Sequence, residues 1–569
     1  MRETVSFDDN EGARTRRVNS IAARARASVP ALAEAFRAIA TALLLLLAFP
    51  DFGLWPLAWV ALVPLLVTIA SRPRATRSFL AGWLAGTVFF YASCHWLTFP
   101  MIHYAEFPAW LAHVVLLAPA LAGGFFVGLF ALALARACSR WGACALLLAP
   151  PFWAACEWAR LGVIGQLWNA LGYSQAFHTS LIQAARFGGV YAVGFLVVCV
   201  NAALAYALLL RRDTRGIVVS LASLACVAVA LFGIQLTAAP SVEGETAAVV
   251  VALQPNVVPD FNRGAAEYDV LTERHFELSA GALRKIDESG AVGSINVKEG
   301  EDCGCGFETP HVPARIVVWP ESPMNFSYER NAEFRERVAR FVSKSHASLL
   351  FNSLEPTKDG GGYNAAVLVN EQGRVVAQYD KIRLMPFGEY VPLPRWMPGA
   401  GLMRGVVGDF TPGEHYTLMP LGGGGGDEKT QLRAGVFICL ESAYPYITRR
   451  FAREGADVLV EMTNDAYQGD TSIMRQHLSN AVFRAVETGR TLLRVTNTGV
   501  SARISPRGTV TEETGRFEEA VRTWEVARSD GRQTFYTRFG DSFVAACTLI
   551  SLLAVALTFV RRKTVSVVE

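Results

Sequence analysis

The chain has 569 residues, of which 52% are hydrophobic and only 18% charged, and its mean hydropathy is +0.28. Soluble domains average about 25% charged residues, so much of this chain lies somewhere other than water, and disorder, a collagen and a small disulfide scaffold are excluded. Its 53 basic and 50 acidic residues leave a net charge of +3, too balanced for a nucleic-acid partner.

Residues 1–34 form a basic tail with Arg14, Arg16, Arg17, Arg24 and Arg26. Apolar runs then crowd 35–239. A bilayer-crossing helix needs about 20 mostly apolar residues. Eight candidates fit, near 35–50, 54–71, 78–97, 108–135, 143–160, 187–210, 216–237 and, after a long gap, 541–560. The first run ends in Phe49-Pro50-Asp51 instead of a small-residue cleavage site, which reads as an uncleaved anchor.

Short-loop Lys and Arg give the orientation. Arg72, Arg74 and Arg77 follow the second run, Arg136 and Arg140 the fourth, Arg211, Arg212 and Arg215 the sixth, and Arg561, Arg562 and Lys563 the last. The connections at 51–53 and 98–107 hold no Lys or Arg, and 161–186 holds only Arg186. Both termini are therefore expected in the cytoplasm, with 240–535 on the opposite side, the periplasm or its equivalent if the cell is bacterial. Glu157 and Arg160, spaced i,i+3, read as a structural ion pair at the membrane edge. Trp168 and Tyr173, on the 161–186 connection, fit a substrate rim or an interfacial aromatic belt. His95 and His103 read as incidental.

Residues 240–535 read as an α/β layered domain. Short apolar strands are expected at 248–253, 316–319, 349–351, 366–368, 435–438 and 458–460, with helices at 328–342, 446–453 and 474–490. Gly422–Gly426 is a surface loop and no phosphate cradle, since no Gly-Lys-Ser/Thr follows. Residues 536–569 hold the last helix and a short tail.

Seven of the 10 cysteines lie in or beside the apolar runs, where a thiol behaves as a small hydrophobe. Cys303-Gly-Cys305, in an insertion near 290–310, reads as an incidental loop, with a local disulfide or a metal site as alternatives. Neither a His-x-x-x-His pattern nor a second Cys pair supports zinc. Cys439 is left as an unpaired thiol in an oxidising compartment, a flag for a reactive role.

Three strands end in a reactive group. Ile316–Pro320 delivers Glu321, Val375–Tyr379 leads to Lys381, and Gly435–Ile438 delivers Cys439. Singly these read as a helix-start acid, a surface lysine and a small buried residue. Together they are the minimum set for acyl transfer through a thioester. The carboxylate takes the thiol proton, the thiolate attacks a carbonyl, and the ammonium with a following backbone N–H holds the oxyanion.

Trp319-Pro320-Glu321, Tyr379-Asp380-Lys381 through Pro386-Phe387-Gly388-Glu389-Tyr390-Val391-Pro392, and Ile438-Cys439-Leu440-Glu441 resemble the Glu–Lys–Cys pattern of the nitrilase superfamily. Within it they are similar to the bacterial apolipoprotein N-acyltransferases. Thr463-Asn464-Asp465-Ala466, Arg484–Arg490, Thr496–Gly499, Tyr536–Asp541, Leu171–Gln175 and Glu157-Trp158-x-Arg160 extend the likeness from about 40 to 560.

The resemblance implies about eight transmembrane helices around an extracytoplasmic αββα nitrilase-like domain, and a ping-pong reaction without cofactor or metal. A phospholipid such as phosphatidylethanolamine donates its sn-1 acyl chain to Cys439. The thioester then acylates the α-amine of an S-diacylglyceryl cysteine at an apolipoprotein N-terminus. Glu321 is implied as general base, Lys381 as oxyanion stabiliser and Cys439 as nucleophile. Glu389, Glu441, Asn464 and Asp465 support the site, and Tyr390, Leu440, Trp168 and Tyr173 are candidate substrate contacts. Met385 and Phe387 fit a lid over the thioester or core packing.

The chain departs from the family pattern at Leu440, where tyrosine is usual, at Gln468, and after Gln254-Pro255-Asn256, where Phe261 is the nearest aromatic. A membrane-tethered amidohydrolase would use the same triad with water as acceptor and would need only one anchoring helix. A transporter or lipid sensor would not require an intact triad.

Overall fold

The computed structural model describes residues 30–237, 246–260, 263–289, 313–321, 327–392, 396, 409–422 and 431–560. The basic tail to Arg26, Phe261, Cys303 and Cys305, most of the glycine run and Arg561–Lys563 lie outside them.

All eight apolar runs are helical. They form α1 Leu32–Ala48, α2 Val63–Ser71 (entered through Trp55–Leu57 and Ala58–Ala61), α3 Ala75–Ser93, α4 Ala109–Trp141, α5 Ala149–Ile164, α6 Ala185–Leu209, α7 Thr214–Thr237 and, at the far end, α12 Ser542–Leu557. Among the described residues, three segments suffice by length and composition to cross a bilayer, namely Ala109–Ile164, Ala185–Leu209 and Thr214–Thr237, while Trp55–Ser71 and Ser542–Leu557 are shorter apolar helices. The first of the three has 56 residues, about 84 Å at 1.5 Å per residue. That is too long for one crossing of a core about 30 Å thick. It breaks at Gly142, whose φ of +68° turns α4 into a 3-10 stretch ahead of α5. The outer faces of α7 and α12 expose Val218, Leu221, Val229, Phe232, Leu549, Leu552 and Leu553, the surface expected of helices solvated by lipid.

Lipid tails supply no hydrophobic drive between helices, so close backbone approach must supply contact energy. Gly82 and Gly86 of α3 face Gly124 and Gly128 of α4 at four-residue spacing. A Cβ built on Gly124 would lie 2.5 Å from the Thr87 nitrogen, and one on Gly86 would lie 2.7 Å from the Gly124 Cα.

The soluble part is two six-stranded sheets. β1 Thr246–Gln254, β2 Ala314–Val318, β3 Ser348–Pro356, β4 Gly362–Val369, β5 Val375–Asp380 and β12 Ala520–Ala527 form one, in the order β12-β1-β2-β3-β4-β5. β6 Leu418–Leu421, β7 Leu432–Ile438, β8 Val458–Thr463, β9 Thr491–Thr496, β10 Ala502–Ile504 and β11 Val510–Thr511 form the other, ordered β11-β10-β9-β8-β7-β6. In each sheet three parallel strands, β1-β2-β3 or β7-β8-β9, are flanked by antiparallel ones. Side chains alternate along β1. Val249, Val251 and Leu253 pack with Phe276 and Leu283 of α8 Ala265–Ser289 and Val338 of α9 Ala332–Ser345, whereas Ala248, Val250 and Ala252 join the larger core. On the second sheet lie α10 Pro445–Arg453 and α11 Ile473–Thr488.

The six expected strands and three expected helices are all present. β6, β9 to β12 and α8 were not anticipated: several are short, and the apolar pattern of α8 is faint. The connection 161–186 departs from expectation more sharply. Glu157 and Arg160 do not pair: Glu157 Oε1 accepts from the Leu171 N–H at 2.7 Å, and Arg160 Nη1 donates to the Trp168 carbonyl at 2.7 Å. Among the described residues no ion pair joins the two; each pins the connection to the end of α5. Trp168 and Tyr173 are neither rim nor belt, being 7% and 2% exposed. Both are buried where the connection packs under α11. His95 and His103 donate only to the local carbonyls of Ala92 and Phe99.

Candidate active site

Parallel strands deliver their C-terminal ends to one edge of the sandwich, where their last backbone groups are free to turn. Glu321 follows β2, Lys381 follows β5 and Cys439 follows β7. Lys381 Nζ lies 3.2 Å from Glu321 Oε1 and 2.8 Å from Glu389 Oε1. Asn364, on β4, donates to the same two carboxylates at 3.0 and 2.6 Å. The second oxygen of Glu321 accepts from the Asn464 N–H at 3.1 Å, and that of Glu389 from the Met385 N–H at 2.7 Å. Burial would lower the ammonium, but the charges of Glu321 and Glu389 outweigh it and hold Lys381 protonated well above the ordinary lysine range.

Cys439 sits at φ +53°, a left-handed turn that non-glycine residues seldom adopt. Its thiol feels the charges of Glu321, Lys381 and Asp465. Burial pushes it well above the usual thiol range, Glu321 adds to this, and Lys381 offsets part. A resting thiolate is thereby disfavoured, so the proton has to leave as the sulfur attacks, and Glu321 is the carboxylate at hand.

Glu441 is fully buried and ties the lysine and cysteine arms together. It accepts from Ile382 N (2.8 Å), Arg383 N (3.0 Å) and Tyr379 Oη (2.8 Å) on one side and from Ile438 N (2.8 Å) on the other. Burial raises its carboxyl to about 7, the hydrogen bonds and Lys381 offsetting only part. Tyr390 is half-buried and closes a loop in which Phe387 N donates to its carbonyl at 2.8 Å. Phe387 is 51% exposed, so core packing does not describe it. Leu440 is 9% exposed and Gln468 7%.

Behind the nucleophile lies a group of charges that the sequence did not reveal. Arg494 on β9 reaches Glu461 Oε2 at 2.6 Å and Asp465 Oδ2 at 2.7 Å. His477 on α11 places Nδ1 2.7 Å from Asp465 Oδ1 and Nε2 3.1 Å from the Cys439 carbonyl, with Glu461 Oε1 at 3.2 Å. Burial would lower its imidazole; Asp465 and Glu461 outweigh burial and Arg494, bringing it to about 9. Asp465 is therefore a partner of His477 and Arg494. Asn464 caps the 3-10 turn Asp465–Gln468 through Ala466 N and accepts from Asn497. Asn364, Glu461, His477 and Arg494 carry no sequence signal beyond a polar residue within an apolar strand or helix. Among the described residues no cluster of His, Cys, Asp and Glu could hold a metal ion.

Paired sheets with a carboxylate, an ammonium and a thiol at adjoining strand ends define a carbon-nitrogen hydrolase domain, and the profile of that family matches residues 273–536. The profile described as the apolipoprotein N-acyltransferase N-terminal domain matches residues 41–203. The chain is 30% identical over 544 residues to the apolipoprotein N-acyltransferase of Geobacter metallireducens, covering 93% of this chain and 95% of that one. It is 28% identical over 496 residues to that of Allorhizobium ampelinum, covering 84% and 87%. The chain belongs to the apolipoprotein N-acyltransferase family. Among solved structures, an amidase from Nesterenkonia sp. aligns at 17% identity and a TM-score of 0.35, covering 54% of this chain and 98% of that one.

Proposed function

We propose that this chain N-acylates apolipoproteins through an acyl-thioester on Cys439, with a phospholipid as donor. Glu321 takes the thiol proton as Sγ attacks the sn-1 ester carbonyl. Lys381 and the Leu440 N–H hold the oxyanion. The ester C–O bond breaks and the lysophospholipid leaves with the proton from Glu321. The α-amine of a diacylglyceryl cysteine then attacks the thioester and gives its proton to Glu321. The C–S bond breaks, and the thiol is restored. Glu389 and Asn364 keep the ammonium between its carboxylates, and Glu441 keeps it in register with Cys439.

The observation that carries this reading is the nearness of the nucleophile to the connections that join the apolar helices. The Trp168 ring lies 5.7 Å from His477, which touches the Cys439 carbonyl. Tyr104 meets Tyr467 at 6.1 Å, and Phe99 packs on Gly469. Substrates anchored in lipid require such nearness; a soluble amide does not. Eight spans, cytoplasmic termini and an extracytoplasmic catalytic domain complete the proposal. In spheroplasts, a membrane-impermeant maleimide should label Asp359→Cys and spare Arg212→Cys; the reverse pattern would overturn the orientation.

The decisive experiment incubates the protein with a defined phospholipid and follows it by intact and peptide mass spectrometry beside Cys439→Ala. An acyl adduct on Cys439 that moves to the α-amine of a diacylglyceryl-cysteine peptide is expected. An adduct lost only to water would point to a lipid hydrolase. Absence of an adduct on folded protein would overturn the phospholipid donor and favour soluble amides.

A further inference from the structure

We propose that His477 is a positioning residue that aims and polarises the Leu440 amide, the backbone donor that faces the oxyanion. The inference rests on the thioester reading above and assigns a role to a buried group that this chemistry leaves unused.

The Cys439 carbonyl and the Leu440 N–H belong to one planar peptide group and point in opposite directions. Whatever fixes the carbonyl therefore fixes the N–H. At φ +53° Cys439 stands outside the regular backbone regions, a conformation that persists only where its surroundings hold it. His477 Nε2 supplies that hold at 3.1 Å from the carbonyl oxygen.

Hydrogen bonding also sets the ring's charge. Nδ1 faces a carboxylate oxygen of Asp465 at 2.7 Å, and Nε2 faces the carbonyl. Both neighbours only accept, so both ring nitrogens must donate, and that is the imidazolium. Glu461 and Asp465 balance it together with Arg494. The Trp168 ring closes another side. A charged donor on the carbonyl draws electron density along the peptide and makes its N–H a stronger donor. Such a donor acts where charge develops in the transition state.

This role separates from a structural one because an oxyanion forms only in attack on a carbonyl. Alkylation of Cys439 by iodoacetamide needs the thiol and Glu321 but develops no oxyanion. Purified full-length wild type and His477→Gln would be compared for single-turnover acylation of Cys439 by a p-nitrophenyl acyl ester and for alkylation by iodoacetamide. Expected is an acylation rate down roughly tenfold or more in His477→Gln, with alkylation changed less than threefold. Asp465→Asn, which leaves the ring in place but weakens its charge, should give the same pattern to a smaller extent. Equal loss of both reactions in both variants, or acylation unchanged, would overturn the role of His477. Wild type that is alkylated but never acylated would instead overturn the acyl-transfer reading, and this inference with it.

Discussion

Glu441 illustrates how a residue that touches no substrate can govern the reaction. Its carboxylate joins the backbone beyond β5 to the last residue of β7, so the Lys381-to-Cys439 spacing depends on it. Glu441→Ala should lower the rate of Cys439 acylation on the order of 10²-fold, the cost of a misplacement near 1 Å, measured as the p-nitrophenolate burst. Glu441→Gln, which can still accept from some of these donors, should lose less. His477 and the buried acids also set a pH dependence. A group whose pKa rises on folding stabilises fully below its unfolded value, and the contribution is lost as pH climbs through the folded one. For His477 that window runs from 6.5 to about 9; for Glu441 and Glu487 it runs from 4.5 to about 7. The thermal midpoint in detergent should therefore fall between pH 6 and pH 9.5, and His477→Gln should flatten the upper part of that fall. A flat wild-type profile would refute the assignment.

Among the elements, α11 combines near-complete burial with a polar composition. Every residue but Arg475 is buried, although the helix carries Gln476, His477, Asn480, Arg484 and Glu487. It lies between the second sheet and α6, so both its faces are interior and its polar groups pair across each. Arg484 bonds Tyr173 Oη at 3.2 Å and Glu487 Oε1 at 2.8 Å, and Glu487 also accepts from the Val190 N–H of α6 at 2.9 Å. The seam between α3 and α4 follows the opposite rule, with glycines where the backbones meet and the Thr87, Val127 and Ala131 side chains filling the space beside them. Gly124→Val should cost about 1–3 kcal/mol by overpacking, read as a lower unfolding midpoint in detergent. Gly53→Val, a control at a glycine with open space around its Cβ but a strained φ, should lose less.

In the whole molecule, Gln476 is the rivet between the catalytic domain and the apolar bundle. Its Oε1 accepts from the indoles of Trp96 at 3.1 Å and Trp168 at 2.8 Å, and its Nε2 donates to the carbonyls of Ser93 at 2.9 Å and Pro50 at 3.3 Å. Gln476→Leu strands two buried indole donors, each costing about 1–3 kcal/mol. Hydrogen exchange should rise in 161–178 and at the ends of α3 and α11 while the first sheet stays protected. Uniform exchange across the molecule would argue against a local rivet.

The residues themselves established the strand ends at Glu321, Lys381 and Cys439 and the helical character of all eight apolar runs, because those signals are local: an apolar stretch of set length closed by a polar group. They also carried the family likeness, whose motifs are contiguous in the chain. Only the tertiary structure decided that Trp168 and Tyr173 are interior, that Glu157 and Arg160 hold backbone groups instead of each other, and that His477, Asn364 and Arg494 border the site. Those outcomes depend on which surfaces of distant segments meet. A histidine in a helix reads the same whether solvent or a nucleophile's carbonyl lies opposite, and the second layer of packing selects between them.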